Sequence, residues 1–153
     1  MAHIEDLSGQ LQQFVHQLEC PAFDTHPFEG GPPLARRRVA IISSAALHSR
    51  REPPFAAGST EFRRLPGSLD AGDFVMSHVS ISFDRHGFQT DLNVVFPVGR
   101  LRELAAEGII GSVADRHYSF LGSTDPLELT ETADQLAGEL RLDAVDGVLL
   151  CPV

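Results

Sequence analysis

Hydrophobic residues recur at helical spacing in three segments of the chain. The first covers about residues 4–19, the second residues 97–108 and the third residues 125–142. Apolar positions three or four residues apart form one face of an amphipathic helix. The pattern therefore predicts three amphipathic helices. The proline- and glycine-rich residues 21–35 predict a linker after the first helix.

Two apolar runs have the composition of buried strands. Residues 39–42 are continuously apolar, which predicts a central strand buried on both faces, as in parallel sheets. Residues 147–153 predict a second buried strand. Residues 46–72 are irregular and rich in proline and glycine, and a loop of this length is often functional. Short extended segments are predicted at residues 74–76 and 79–83.

The order of these elements indicates an α/β fold. We expect Rossmann-like or flavodoxin-like layers around a mostly parallel sheet that is itself incomplete. Residues 1–35 would form an N-terminal helix and linker, and residues 36–153 the N-terminal part of a larger α/β domain. No apolar run is long enough to cross a membrane and no signal peptide opens the chain, so we expect a cytoplasmic protein without a membrane partner.

Charge and composition narrow the function classes further. The chain carries 21 acidic residues against 12 basic ones, all arginine, for a formal net charge of −9. Such a chain is a poor candidate for binding nucleic acid or anionic lipid. Two cysteines, Cys20 and Cys151, cannot form a disulfide framework. The seven histidines are scattered without metal-ligand spacing, so no metal site is predicted.

The most polar stretch lies between residues 78 and 100 and includes His78, Asp91, Asn93 and Arg100. Arginine binds a carboxylate in bidentate geometry and aspartate accepts from an ammonium group, so these residues could bind an amino acid. The alternative is a polar loop in which Asp91 and Asn93 form turns and Arg100 is a surface residue of the following helix. Both interpretations stay open at this point.

Several longer motifs resemble one known family. The most specific is residues 91–104, where Asp-x-Asn is followed by Pro-x-x-Arg-Leu-x-Glu-Leu, because several unlike residue types must coincide. Residues 38–48, 107–111 and 117–122 match further parts of the pattern. Together these segments, within about residues 38–153, are similar to the selenoprotein B family of glycine, sarcosine and betaine reductases and of D-proline reductase.

The resemblance implies a subunit of a reductase that cleaves a C–N bond of a small amino acid or amine substrate. In that family a selenocysteine, or a cysteine in its place, is the redox nucleophile, and its ionised form is the attacking species. Other reductase subunits would be partners, including a pyruvoyl-containing subunit in the proline enzyme. The candidate substrate-binding residues that fall on the shared pattern are His78, Asp91, Asn93, Arg100 and His117.

The resemblance places the nucleophile just after Val153, and Cys151 only precedes that reactive turn. We therefore expect a truncated product in which the next codon is UGA, encoding selenocysteine. The 153-residue form would then be inactive and would bind no cofactor itself. One alternative is a true stop in a split or decayed gene. Another alternative, for the function, is a non-catalytic α/β module that binds a small molecule or a partner.

Overall fold

A mostly parallel sheet with flanking helices confirms the predicted α/β class. The computed structural model describes residues 4–17, 22, 24, 28–79 and 85–153. Its strands are β1 (Arg38–Ser43), β2 (Leu47–Ser49), β3 (Phe62–Pro66), β4 (Phe74–Met76), β5 (Ser112–Val113), β6 (Arg116–Phe120) and β7 (Gly147–Cys151). Its helices are α1 (Gly9–Gln17), α2 (His86–Thr90), α3 (Val98–Ala106) and α4 (Thr130–Leu142). None of the helices in the described ranges is both long enough and apolar enough to cross a membrane.

Strand β1 is the centre of the main sheet. Strand β7 runs parallel to one edge of β1, from the pair Val39 and Gly147 to the pair Ser43 and Cys151. Strands β5 and β6 run parallel to the other edge, and β3 pairs antiparallel with β6. Strands β2 and β4 form a separate antiparallel pair. The prediction of a central strand at residues 39–42 is confirmed, since β1 has neighbours on both edges. Its burial is confirmed for Val39, Ala40 and Ile41, whereas Ile42 is half-buried.

The two faces of the sheet are covered by different helices, because alternate residues of a strand point to opposite faces. On one face, Ile41 belongs to a core cluster that also contains Phe96 and Leu101 of the α3 region. On the other face, Ile42 and Leu136 of α4 line a common groove. The predicted helices at residues 97–108 and 125–142 are therefore confirmed as the two flanking layers.

Strand β6 was not predicted, because its sequence Arg-His-Tyr-Ser-Phe does not look like a buried strand. His117, Tyr118 and Ser119 are nevertheless fully buried. The hydroxyl of Ser119 donates to the carbonyl of Ser43 at 2.9 Å and accepts from the amide of Leu47 at 2.9 Å. Ser119 can occupy this core because both of its hydrogen bonds are made to the backbone of neighbouring segments.

Three further expectations need correction or lie partly outside the described residues. The predicted loop at 46–72 contains β2 and β3. The helix predicted over residues 4–19 is a 3-10 turn at Ile4–Asp6 followed by α1, and residues 18 and 19 lie outside the described residues. Of the extended segment predicted at 79–83, residues 80–83 also lie outside them.

The prediction that residues 147–153 form a buried strand is wrong in its burial. Strand β7 forms, but the exposed fractions of Val148, Leu149 and Leu150 are 42%, 38% and 67%. Within the described residues, β7 pairs only with β1, so its second edge has no neighbouring strand. Apolar composition indicates that a strand can be buried, whereas actual burial depends on whether other elements cover it.

Replacing Ser119 with alanine should destabilise the fold. The change removes both hydrogen bonds of the hydroxyl and leaves the buried amide of Leu47 without its acceptor, at a cost of about 2 kcal/mol in the free energy of unfolding. Urea denaturation followed by circular dichroism measures this. The matched change Ser123→Ala, at an exposed turn residue, should alter the free energy by less than about 0.5 kcal/mol. Equal urea midpoints for the two variants would contradict the assigned role of Ser119.

Candidate functional site

Two of the predicted site residues, Asp91 and Asn93, line one groove at the N-terminal end of α3. We call it the polar groove. Its volume is about 240 Å³. Drug-sized ligands occupy pockets of about 300–1,000 Å³, so this groove suits a smaller molecule. Its polar and charged lining side chains are Asp70, Thr90, Asp91, Asn93 and Arg102.

Asp91 and Asn93 also have a clear structural role. The amide oxygen of Asn93 accepts a hydrogen bond from the backbone N–H of Gly99 at 3.0 Å, which caps the first turn of α3. One carboxylate oxygen of Asp91 accepts from both the backbone N–H and the side-chain NH₂ of Asn93, at 2.9 and 2.8 Å. These two hydrogen bonds lower the pKa of Asp91, so its carboxylate stays ionised. The turn-forming role and the groove-lining role therefore coexist in the same residues.

The two arginines of helix α3 have different surroundings, and only Arg102 lines the polar groove. Nη1 of Arg100 donates to both carboxylate oxygens of Glu103, at 2.8 and 2.7 Å, and Arg100 does not line the polar groove. Arg102 does line it, together with Val98 and Gly99. The sequence analysis missed Arg102. Helical spacing could have found it, because residues three and four apart share a face and Arg102 follows Gly99 by three positions.

His78 and His117 lie away from the lining of the polar groove. His78 is half-buried after β4, and its backbone carbonyl accepts from Nη2 of Arg85 at 2.6 Å. His117 is fully buried in β6 and stacks edge-on against Phe96, with ring centroids 5.3 Å apart. The structure therefore brings together Asp91 and Asn93 of the five predicted residues, and adds Arg102.

The side chain of His117 supplies a hydrogen-bond acceptor where the ladder between β1 and its neighbours is interrupted. The ladder along this edge of β1 is interrupted after Ala114, whose N–H donates to the carbonyl of Val39 at 2.9 Å, and resumes at the pair Ile42 and Tyr118. In between, the N–H of Ile41 donates to Nδ1 of His117 at 3.0 Å. Nδ1 must therefore be unprotonated, which places the proton of the neutral ring on Nε2. Nε2 is buried and has no hydrogen-bond partner within the described part of the chain.

Burial lowers the pKa of His117 from 6.5 to about 4. Nearby charges have smaller effects, which Arg102 and Arg38 exert downward and Asp143 and Asp115 upward. The ring is consequently neutral at physiological pH, as its hydrogen bond from Ile41 requires. The geometry supports a structural role for His117, as an acceptor for the backbone of β1, rather than a role in binding substrate.

The thiol of Cys151 is poorly suited to nucleophilic chemistry. Its side chain is half-buried in β7, and burial raises its pKa. Since the thiolate is the nucleophilic form, a raised pKa reduces its reactivity. Cys20 lies outside the described residues. In the described part of the chain, no three histidine, cysteine or acidic side chains are grouped so that they could hold a metal ion.

A second groove, on the other face of the sheet, is almost entirely apolar. We call it the apolar groove. It lies between α4 and the sheet and has a volume of about 320 Å³. Its lining includes Ile42, Phe62, Phe120, Leu136 and Leu140. Without charged side chains in its lining, it cannot orient a charged amino acid. The polar groove is the candidate functional site because it contains the motif residues Asp91 and Asn93.

The polar groove combines opposite charges that are not paired with each other. No ion pair joins Arg102 to Asp70 or Asp91 among the residues that the structure describes. A guanidinium group binds carboxylates, and an ionised aspartate attracts cationic nitrogen. This arrangement of charges is suited to a small zwitterion.

The motifs at β1, β6 and the start of α3 belong to a known class of protein. The family model for glycine/sarcosine/betaine reductase selenoprotein B matches residues 11–152. The match covers nearly the whole chain, so the chain belongs to this family, as the sequence motifs indicated.

Individual relatives are components of reductase complexes. The chain is 33% identical over 115 residues to the D-proline reductase subunit gamma of Acetoanaerobium sticklandii, covering 73% of this chain and 47% of the relative. It is 26% identical over 145 residues to the glycine reductase complex component B subunit gamma of Carboxydothermus hydrogenoformans, covering 91% and 33%. It is also 26% identical over 155 residues to the sarcosine reductase complex component B subunit beta of Peptoclostridium acidaminophilum, covering 96% and 35%.

The chain spans about a third to a half of the length of these relatives. No solved structure matches it. The relatives' names identify them as parts of multi-subunit reductases, which supports a reductase-type role at the level of the family.

Gly99 has little space for a side chain, because the side chain of Asn93 lies beside it. A Cβ at Gly99 would lie 2.9 Å from the amide oxygen of Asn93. We expect Gly99→Ala to displace that oxygen and destabilise the fold by about 1 kcal/mol. Urea denaturation measures the change in the free energy of unfolding.

The matched control is Gly138→Ala in α4, where a Cβ would meet no atom within 4 Å. Alanine is a better helix former than glycine, so this variant should be more stable by about 0.5–1 kcal/mol. The same chemical change thus has opposite signs at the two positions. Stabilisation by Gly99→Ala would show that Asn93 does not cap α3 as described.

The buried neutral ring of His117 predicts a loss of stability in mild acid. The unfolded chain takes up the proton near pH 6.5, whereas the folded chain resists it until about pH 4. The stabilisation is therefore complete above about pH 6.5 and is lost as the pH falls toward 4. Between pH 7.5 and pH 5 the free energy of unfolding should fall by about 2 kcal/mol.

His117→Asn is the control for this pH dependence. The side-chain oxygen of asparagine can accept the N–H of Ile41 in place of Nδ1, and the asparagine side chain does not titrate. Urea denaturation at the two pH values should show the decrease in the wild type and little change in the variant. An equal decrease in both proteins would assign the pH dependence to other groups.

Proposed function

We propose that this chain forms part of a subunit of a reductase complex that cleaves a C–N bond of glycine, sarcosine, betaine or D-proline. The observation that carries the proposal is the family match over residues 11–152. The relative that is 33% identical over 115 residues is a D-proline reductase subunit, so D-proline is the first substrate to test. In this reaction the C–N bond breaks with uptake of two electrons and two protons, while a dithiol is oxidised to a disulfide.

The redox nucleophile, in this proposal, is a selenocysteine or cysteine encoded beyond Val153. Two observations support a location outside the described chain. Cys151 is half-buried with a raised thiol pKa, and the polar groove has no cysteine among its lining residues. In-frame translation past a UGA codon would supply the nucleophile. The nucleotide sequence after the Val153 codon tests this step, because it should encode further α/β sequence containing cysteine.

The other reductase subunits are the proposed partners, in the cytoplasm, and a pyruvoyl-containing subunit is among them if the substrate is D-proline. The relatives' names as subunits and components support a multi-subunit assembly. The exposed apolar residues of β7 support the addition of further structure at that edge of the sheet.

The second candidate function is a non-catalytic module that binds a small molecule. The polar groove favours it, because the groove has charged groups able to hold a ligand and no nucleophilic thiol beside them. Under this alternative the chain would bind an amino acid without reducing it.

The two functions are distinguished by a dithiol-dependent reductase assay. The gene is expressed with the sequence that follows the Val153 codon, with cysteine at any in-frame UGA, together with the proposed partner subunits. We expect turnover of at least one of D-proline, glycine, sarcosine and betaine. The 153-residue form with the same partner subunits is the control and should show none. Absence of turnover on all four compounds by the extended form would contradict the reductase function and favour the binding module.

A further inference from the structure

Arg102 is the cationic side chain of the polar groove, and its surroundings leave it available to an anion. Its hydrogen bond, through Nη2, is made to the backbone carbonyl of Gly67. It forms no ion pair with a carboxylate of the described residues, in contrast to Arg100, which is paired with Glu103. A guanidinium group has five N–H donors in a planar fork, so one bond to a carbonyl leaves donors for a ligand carboxylate.

The backbone at the start of α3 cannot replace Arg102 as the anion-binding group. The N–H of Gly99, which lines the groove, already donates to the amide oxygen of Asn93. Arg102 is therefore the group at the start of α3 that can bind an anion in this groove. Its side chain also lines a neighbouring cavity of about 300 Å³ with Ser68 and Asp115.

The groove also carries negative charge. One oxygen of the Asp91 carboxylate is held by Asn93, and the carboxylate is ionised. Its second oxygen makes no hydrogen bond within the described part of the chain, and neither Asp91 nor Asp70 is paired with Arg102. A ligand with a carboxylate and a cationic nitrogen would satisfy both kinds of charge at once.

We infer, on the basis of the proposed function, that the polar groove binds the amino-carboxylate part of the substrate. The guanidinium group of Arg102 binds the carboxylate, and Asp91 faces the nitrogen. The compounds in the relatives' names, which are glycine, sarcosine, betaine and D-proline, all carry a carboxylate one carbon away from a nitrogen. One arginine could therefore serve every member of this substrate class, while the groove around the nitrogen would distinguish them.

Binding to the 153-residue chain tests this inference without any need for turnover. D-proline, glycine, sarcosine and betaine are each titrated into ¹⁵N-labelled protein, and amide chemical shifts are followed. At least one compound should bind and shift the amides of Asp91, Asn93 and Gly99. Pyrrolidine, which lacks the carboxylate, and acetate, which lacks the nitrogen, should each bind at least tenfold more weakly. Absence of binding by all four amino acids, or shifts only outside the groove, would overturn the inference.

The matched variants are Arg102→Gln and Arg100→Gln, two positions apart on the same helix. Arg102→Gln should weaken amino-acid binding at least tenfold. Arg100→Gln removes a charge that acts on Asp91 without lining the groove, so it should change binding much less. Arg102→Lys keeps the positive charge but lacks the planar fork of donors, so its affinity should lie between those of the wild type and Arg102→Gln. Such an intermediate affinity would show that loss of binding in Arg102→Gln is not caused by misfolding. Equal affinity of the wild type and Arg102→Gln would overturn the role of Arg102.

Failure of this inference is distinguishable from failure of the proposed function. In the extended, active complex, Arg102→Gln should raise KM for the substrate much more than Arg100→Gln does. Turnover with KM unchanged by Arg102→Gln would overturn the site and leave the reductase function intact. Arg102-dependent binding without turnover on any of the four compounds would leave the site intact and overturn the reductase function.

Discussion

One side-chain acceptor, Nδ1 of His117, completes the hydrogen bonding of the central strand of this sheet. Strand β1 needs hydrogen-bond partners on both edges, but the ladder along one edge is interrupted between β5 and β6. Nδ1 of His117 accepts the N–H of Ile41, where a backbone carbonyl would accept it in a regular ladder. An unpaired amide in a dry core would be costly, so this substitution allows the irregular edge to be buried. It also requires a neutral imidazole, and burial, which lowers the pKa of His117 to about 4, ensures that state.

The same histidine connects the core to the candidate site. A Cβ on Gly67 would lie 3.3 Å from Nε2 of His117, so the backbone at Gly67 packs directly over the ring. The N–H of Gly67 donates to the carbonyl of Asp115, and its own carbonyl accepts from Arg102. Arg102 is thus oriented by a backbone segment that rests on the buried ring. The polar core strand and the surface groove are in this way connected, by packing of Gly67 on His117 and by the hydrogen bond from Arg102 to Gly67.

The sequence predicted the elements whose burial is produced by apolar side chains, and it failed where burial is produced by polar ones. Strand β1 follows from its continuous apolar run, and helices α3 and α4 follow from the helical spacing of their apolar residues. Strand β6 could not be predicted, because His117 and Ser119 are buried through long-range bonds to β1 and Leu47 that no local pattern reveals. The exposure of β7 was missed for the opposite reason, since apolar composition says nothing about which neighbours are present.

At the site, the motif residues Asp91 and Asn93 were identified, but the choice between Arg100 and Arg102 required the orientation of α3.

Native-state hydrogen exchange of the Ile41 amide tests most directly whether the bond to His117 holds the sheet. If it does, this amide exchanges only through global unfolding, with a free energy of opening equal to the free energy of unfolding from urea denaturation. Amides of the edge strand β7 that are not bonded to β1 should exchange much faster by local opening. Exchange of the Ile41 amide at the rate of those edge amides would contradict the account, because it would show that the interrupted ladder opens locally and that His117 does not close it.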